Sequence, residues 1–226
     1  MPTVGFVHTV LSLPPVFGAL AEELVPDAET FHIVDESLLT VTRRSGSLTP
    51  LTRRRVLDHV LSAADAGADV VVVTCSSIGP AVDAGRTFAP VPVVRIDEAM
   101  ADEAVRLGPR VGVLATLRTT LEPTAELVGR RAQVAGSQVT VVPRLCDGAF
   151  EALSAGDREA HDALVRDGLR RLVEEADVVV LAQASMARIA DELPPGELAV
   201  PVLSSPRLGM QRVAALVARA SVPGAA

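Results

Sequence analysis

Asp69-Val-Val-Val-Val-Thr74-Cys75-Ser-Ser-Ile-Gly-Pro80 is the stretch whose reading decides the fold. Four consecutive valines read as a strand buried on both faces, the mark of a parallel sheet covered by helices. The run stops at Thr74-Cys75-Ser76-Ser77, small polar residues of the kind that open a helix. Cys75 is therefore expected at the C-terminal end of a strand, beside a helix start. That is the edge where open α/β sheets take their ligands. A helix start offers unpaired N–H groups and a partial positive charge, which lower a thiol pKa and attract carboxylates. A lone Cys is most often an inert core residue; here the polar neighbours and the position favour a reactive thiol.

Working outward from this stretch, the 226 residues allow one large domain or two small ones. Five Phe and no Trp or Tyr leave the core to Val, Leu, Ile and Ala. A net charge of -7 and the lack of a basic stripe argue against a nucleic-acid partner. No apolar run approaches the ~20 residues of a membrane span. The chain enters a strand almost at once, with no secretory signal, and a cytoplasmic location is expected. Cys75 and Cys146 make neither a disulfide framework nor a metal-ligand spacing. With no GxGxxG, P-loop or metal constellation, neither a cofactor nor a metal is expected.

Before the valine run, 4–8 and 30–34 read as strands and 14–24 as a helix. The polar segment 39–50 reads as a loop able to cover a site. The spacing of Val56, Leu57, Val60, Leu61 and Ala64 predicts a helix over 52–66. After the run come a short helix over 78–85, a strand over 91–96 and a helix over 97–107. From Arg110 the plan starts again. Gly5 maps on Gly112 and Thr9 on Thr116, 107 residues apart; Asp69-Val-Val-Val-Val-Thr-Cys75 maps on Asp177-Val-Val-Val-Leu-Ala-Gln183, 108 apart. Val91-Pro-Val-Val maps on Val200-Pro-Val-Leu, 109 apart. One order kept at one spacing is the mark of an internal repeat. The fold class is α/β: two pseudo-symmetric Rossmann-like halves, each a mostly parallel sheet flanked by helices. The halves are expected at 1–97 plus 206–226 and at 98–205, with a last helix over 206–220 closing on the first.

The repeat brings equivalent strand ends to a ligand from both sides: Thr9, Cys75, Ser76 and Ser77 from one half, Thr116, Gln183 and Ala184 from the other. With Thr119 and Thr120 they offer neutral donors suited to a carboxylate. Singly, each Ser or Thr reads as a helix cap. His8 ends the first strand, where it would serve as a proton shuttle or simply orient a loop. Arg118 is placed to bind a second carboxylate or to sit exposed at a helix start. Cys146-Asp147 follows a strand over 139–142 and mirrors Leu38-Leu39 rather than Cys75. His32, His59 and His161 receive no role.

On Cys75-Ser76-Ser77 after its valine strand, Gly112-Val-Leu-Ala-Thr116 and Val180-Leu-Ala-Gln183-Ala-Ser-Met186, the chain resembles the aspartate/glutamate racemase superfamily over essentially its whole length. That superfamily includes hydantoin racemase, maleate isomerase and arylmalonate decarboxylase. The resemblance implies a cofactor-independent enzyme acting at the carbon next to a carboxylate of a small acid, and a homodimer. It makes Cys75 the first of the two thiols of a two-base racemase and puts Gln183 at the second. An amide cannot exchange a proton at a useful pKa, so Cys75 is expected to be the single catalytic thiol. The label is an isomerase. A decarboxylase or other lyase, which needs one thiol, and a non-catalytic carboxylate-binding homologue stand as alternatives.

Overall fold

The computed structural model describes residues 1–192 and 198–220. In chain order the elements are β1 (Thr3–His8), α1 (Leu13–Leu24), β2 (Glu29–Val34), α2 (Glu36–Ser45), α3 (Pro50–Asp65) and β3 (Val70–Val73). A 3-10 turn (Ser76–Ile78), α4 (Gly79–Gly85), a second 3-10 turn (Arg86–Phe88), β4 (Val93–Arg95) and α5 (Glu98–Leu107) follow. Then come β5 (Arg110–Ala115), α6 (Arg118–Val134), β6 (Thr140–Leu145), α7 (Ala149–Ser154), α8 (Arg158–Leu172) and β7 (Val178–Leu181). A third 3-10 turn (Ala184–Met186), α9 (Ala187–Glu192), β8 (Val202–Ser204) and α10 (Ser205–Ala220) complete it. Residues divide into two units, Met1–Ile96 with the chain from Pro206, and Asp97–Ser205; residues 221–226 of the expected first half lie outside the described residues.

In the first unit β2-β1-β3-β4 form one parallel sheet. Successive strand residues point to opposite faces, so the four valines serve two cores. Val70 and Val72 join Val4, Phe6 and Phe17 beneath α1 and α10, with Met210 and Val213 from the latter. Val71 and Val73 join Val7, Leu38, Val56 and Val60 on the α2–α3 side. All four are at most 1% exposed, and full burial of each contributes roughly 1.5–3 kcal/mol.

In the second unit β6-β5-β7-β8 form a second parallel sheet of the same strand order. Gly5 pairs with Val71 in the first sheet and Gly112 with Val179 in the second. Asp69 accepts from the Thr3 N–H at 2.8 Å, and Asp177 from the Arg110 N–H at 2.9 Å. A Cβ on Gly5 would lie 2.9 Å from Phe31 Cζ, and one on Gly112 2.7 Å from Leu172 Cγ. The matched glycines thus let other side chains close on the middle of each sheet. Among the described residues no helix is long and apolar enough to cross a membrane.

One expectation is corrected. The start of the 39–50 segment is no loop: Glu36–Ser45 is helical. Asp35 caps it, accepting from the Ser37 N–H at 3.0 Å, and Gly46 ends it at φ 67°. Arg55 and His59 of α3 hold the same carboxylate at 2.6 and 2.8 Å. The helix buries only Leu38 and Thr42, so its apolar stripe is too thin to read from the sequence.

Candidate active site

Cys75 lies two residues past β3 in extended backbone (φ -121°, ψ 116°) and opens the Ser76–Ile78 turn. The residue keeps intermediate exposure while the sulfur is desolvated. Burial pushes the thiol pKa up; the Thr9 hydroxyl, the N–H groups of Ser77 and Ile78 and the Ser77 hydroxyl act against it without reversing the direction. The lowered thiol pKa expected from a helix start is therefore not found: loss of water outweighs a single turn of donors. Cys75 rests protonated at neutral pH.

Thr9 follows β1 and is 1% exposed, and its Oγ1 has no hydrogen-bond partner. It lies close enough to the sulfur to favour a thiolate there, without the geometry of a formed bond. A buried hydroxyl left unsatisfied in a native fold is uncommon; this one faces the one group that would use it when ionised. Ser76 and Ser77 are both buried beside it.

His8 is fully buried. Its Nδ1 lies 2.8 Å from Thr74 Oγ1 and its Nε2 2.8 Å from His32 Nδ1. Thr74 donates its own hydroxyl to the Val7 carbonyl at 3.2 Å, so it accepts from His8 Nδ1–H. That leaves Nε2 as the acceptor for His32 Nδ1–H, a tautomer assigned from the network. The ring stacks on Phe6 at 5.8 Å and His32 at 5.1 Å. Burial first, then the charge on His32, lowers the His8 pKa from 6.5 to about 4. The neutral-range pKa of a proton shuttle is absent, because both nitrogens are engaged inside an aromatic core. His8 instead orients Thr74, the residue before Cys75.

In the second unit Gln183 stands at the end of β7, and its Oε1 accepts from the Thr116 N–H at 2.6 Å and the Thr116 hydroxyl at 2.9 Å. The carboxamide oxygen is thus fixed and its NH₂ remains a donor. Thr9 and Thr116, matched in the repeat, each serve the residue at the end of the neighbouring strand. Ala184 is half-buried in the following turn. Thr119 Oγ1, in the first turn of α6, is buried without a partner. Arg118 is exposed and pairs with Glu122 at 3.7 Å, the helix-start reading of the two. Cys146 is buried, and burial pushes its thiol up to about 11; Asp147 is exposed.

Sequence reasoning missed Thr74, His32, Arg95 and Asp83. Arg95 carried a signal, a charge closing the apolar run Val93-Val94. His32 carried none, since its pairing with His8 depends on strand register.

Two α/β units of one strand order, with a desolvated thiol two residues past β3 in one and a tethered carboxamide two residues past β7 in the other, make a repeat-built protein. The model of the Asp/Glu/Hydantoin racemase family matches residues 13–213, and the chain belongs to that family. No curated protein matches. Among solved structures, the glutamate racemase from Thermus thermophilus superposes with a TM-score of 0.71 at 17% identity, covering 100% of this chain and 84% of its own. The allantoin racemase from Klebsiella pneumoniae gives 0.69 at 22% identity, with 99% and 91% covered. An arylmalonate decarboxylase gives 0.60 at 18% identity, with 98% and 94% covered. At these identities the likeness is one of fold.

Proposed function

We propose that the protein is a cofactor-independent isomerase-type enzyme acting at the carbon next to a carboxylate of a small acid, with Cys75 as its single catalytic thiol. The observation that carries this reading is the sulfur's surroundings. Thr9 Oγ1 is buried and unpartnered, and it joins the N–H groups of Ser77 and Ile78 around Cys75 Sγ. Such donors have little to offer a neutral thiol and much to offer a thiolate. As a base, the thiolate removes the α-proton, leaving a planar carbanion conjugated with the carboxylate; as an acid, the thiol returns a proton, and the isomer forms when the carbanion has turned its other face to Cys75.

A second reading is supported by the resting protonation of Cys75 and by Gln183. In a decarboxylation the C–CO₂ bond breaks, CO₂ leaves, and the carbanion takes the proton of Cys75; the thiolate left behind is the species Thr9, Ser77 and Ile78 favour. One thiol suffices. We read Gln183 as standing where a two-base racemase carries its second Cys, and a carboxamide supplies no proton at useful pKa. We assign the buried Ser76 and Ser77, beside the thiol, to the substrate's carboxylate. Family membership and the sequence repeat support that assignment.

Proton NMR in D₂O with aspartate, glutamate, maleate, hydantoins and substituted malonates tests it, with Cys75→Ala alongside. Exchange at the α-carbon or loss of CO₂, absent from Cys75→Ala, is the expected result. Activity equal in both proteins refutes Cys75 chemistry, and binding of an acid without exchange makes the protein a carboxylate binder.

A further inference from the structure

Arg95 ends β4 opposite Val73, two residues before Cys75. It is 1% exposed, a rare state for a guanidinium that demands an opposite charge. Asp83 of α4 supplies it, bonded to Arg95 Nη1. The remainder of the guanidinium lies flat on Gly79, the residue that closes the Ser76–Ile78 turn and begins α4. A Cβ placed on Gly79 would fall 2.3 Å from Cζ, 2.4 Å from Nη2 and 2.6 Å from Nε of Arg95. Gly79 has ordinary helical dihedrals, φ -52° and ψ -40°, so a side chain there would meet the guanidinium and not backbone strain. Arg86 also approaches Asp83, at 3.8 Å. Arg95 is not among the groups that act directly on the Cys75 sulfur; its reach is through the turn.

The geometry points to Arg95 as a positioning residue for Cys75: tied to Asp83 and seated on Gly79, its guanidinium fixes the Ser76–Ile78 turn, closed by the Ile78 N–H on the Cys75 carbonyl at 3.3 Å, and so holds the donors of that turn beside the sulfur. An aliphatic side chain would fill the space without the planar face that fits against a bare glycine or the fork that engages Asp83. A Lys keeps the charge and loses both. The inference rests on the proposed role of Cys75, but its measurement does not.

The test is the pH dependence of iodoacetamide alkylation at Cys75, followed by mass spectrometry of the Cys75 peptide in the full chain. Gly79→Ala dislodges the guanidinium without altering any charge; Asp83→Asn keeps the side chain's shape and weakens its grip. Each is expected to move the alkylation midpoint up by about one pH unit, making Cys75 about tenfold slower to react below it. Arg95→Lys is expected to do the same. Folding is checked by far-UV circular dichroism, and Asp83→Asn, the mildest change, decides the matter if Gly79→Ala does not fold. Folded variants with the wild-type midpoint overturn the inference, even if turnover depends on Cys75. A moved midpoint in a protein that turns over none of the acids upholds the positioning role and removes the enzymatic one.

Discussion

Acid should weaken the first unit in part through His8, and His8→Phe should remove that part. His8 is fully buried and holds a pKa of about 4 against 6.5 when unfolded. Between those values the unfolded chain binds a proton that the folded chain refuses, so stability falls as pH drops through the window. Integrating both titrations from pH 7 to pH 4 gives a loss of about 3 kcal/mol from His8 alone. That is a large share of the 5–15 kcal/mol typical of a domain. Phenylalanine keeps the packing with Phe6 and Phe17, and Thr74 retains its bond to the Val7 carbonyl. With no Trp or Tyr in the chain, urea unfolding is followed by far-UV circular dichroism at pH 7, 5.5 and 4. The acid loss in His8→Phe should be smaller than in wild type by about 3 kcal/mol, whatever their difference at pH 7. Equal acid losses in the two proteins would refute a neutral, buried His8.

Thr9→Val removes a donor from the Cys75 thiolate, a charge-assisted bond worth about 1.5–3 kcal/mol, so alkylation of Cys75 by iodoacetamide at pH 8 should slow by about tenfold or more; an unchanged rate would separate Thr9 from the thiol. Gly112→Ala drives a methyl to within 2.7 Å of Leu172 and should cost about 1–3 kcal/mol in urea unfolding. Gln183→Ala leaves the Thr116 N–H and hydroxyl without their acceptor and should cost about 1–3 kcal/mol, read in the same assay.

The sheets were legible because their signals were local. Val70–Val73 could be nothing but a doubly buried strand, and the matched Asp69 and Asp177, Gly5 and Gly112 showed that the plan occurs twice. The Asp and Gly pairs proved to have the same tasks in each sheet. The α2 helix was not legible, since its Thr, Ser and Arg residues hide a two-residue buried face. Of the candidate site, Cys75 and its neighbours Thr9 and Ser77 were readable from strand ends. The direction of the thiol's pKa was not: it is set by how much water the fold removes, which spacing along a chain does not encode. His8 was placed at the correct strand end and given the wrong environment, because Phe6, Phe17 and His32 converge on it only through register and helix packing. Arg95 drew no attention for a related reason. Its partner Asp83 lies twelve residues earlier in sequence, and the space it occupies is recorded only as the missing side chain of Gly79.

The central claim is that Cys75 alone moves the proton. The most direct measurement is the rate at which carbon-bound hydrogen exchanges with D₂O on whichever acid the wild-type protein turns over, compared across Cys75→Ala and Cys146→Ala. A positioned acid or base contributes about 10²–10⁴-fold, so Cys75→Ala should fall by at least that while Cys146→Ala keeps the wild-type rate. Exchange that survives in Cys75→Ala, or that is lost instead with Cys146, would contradict the account.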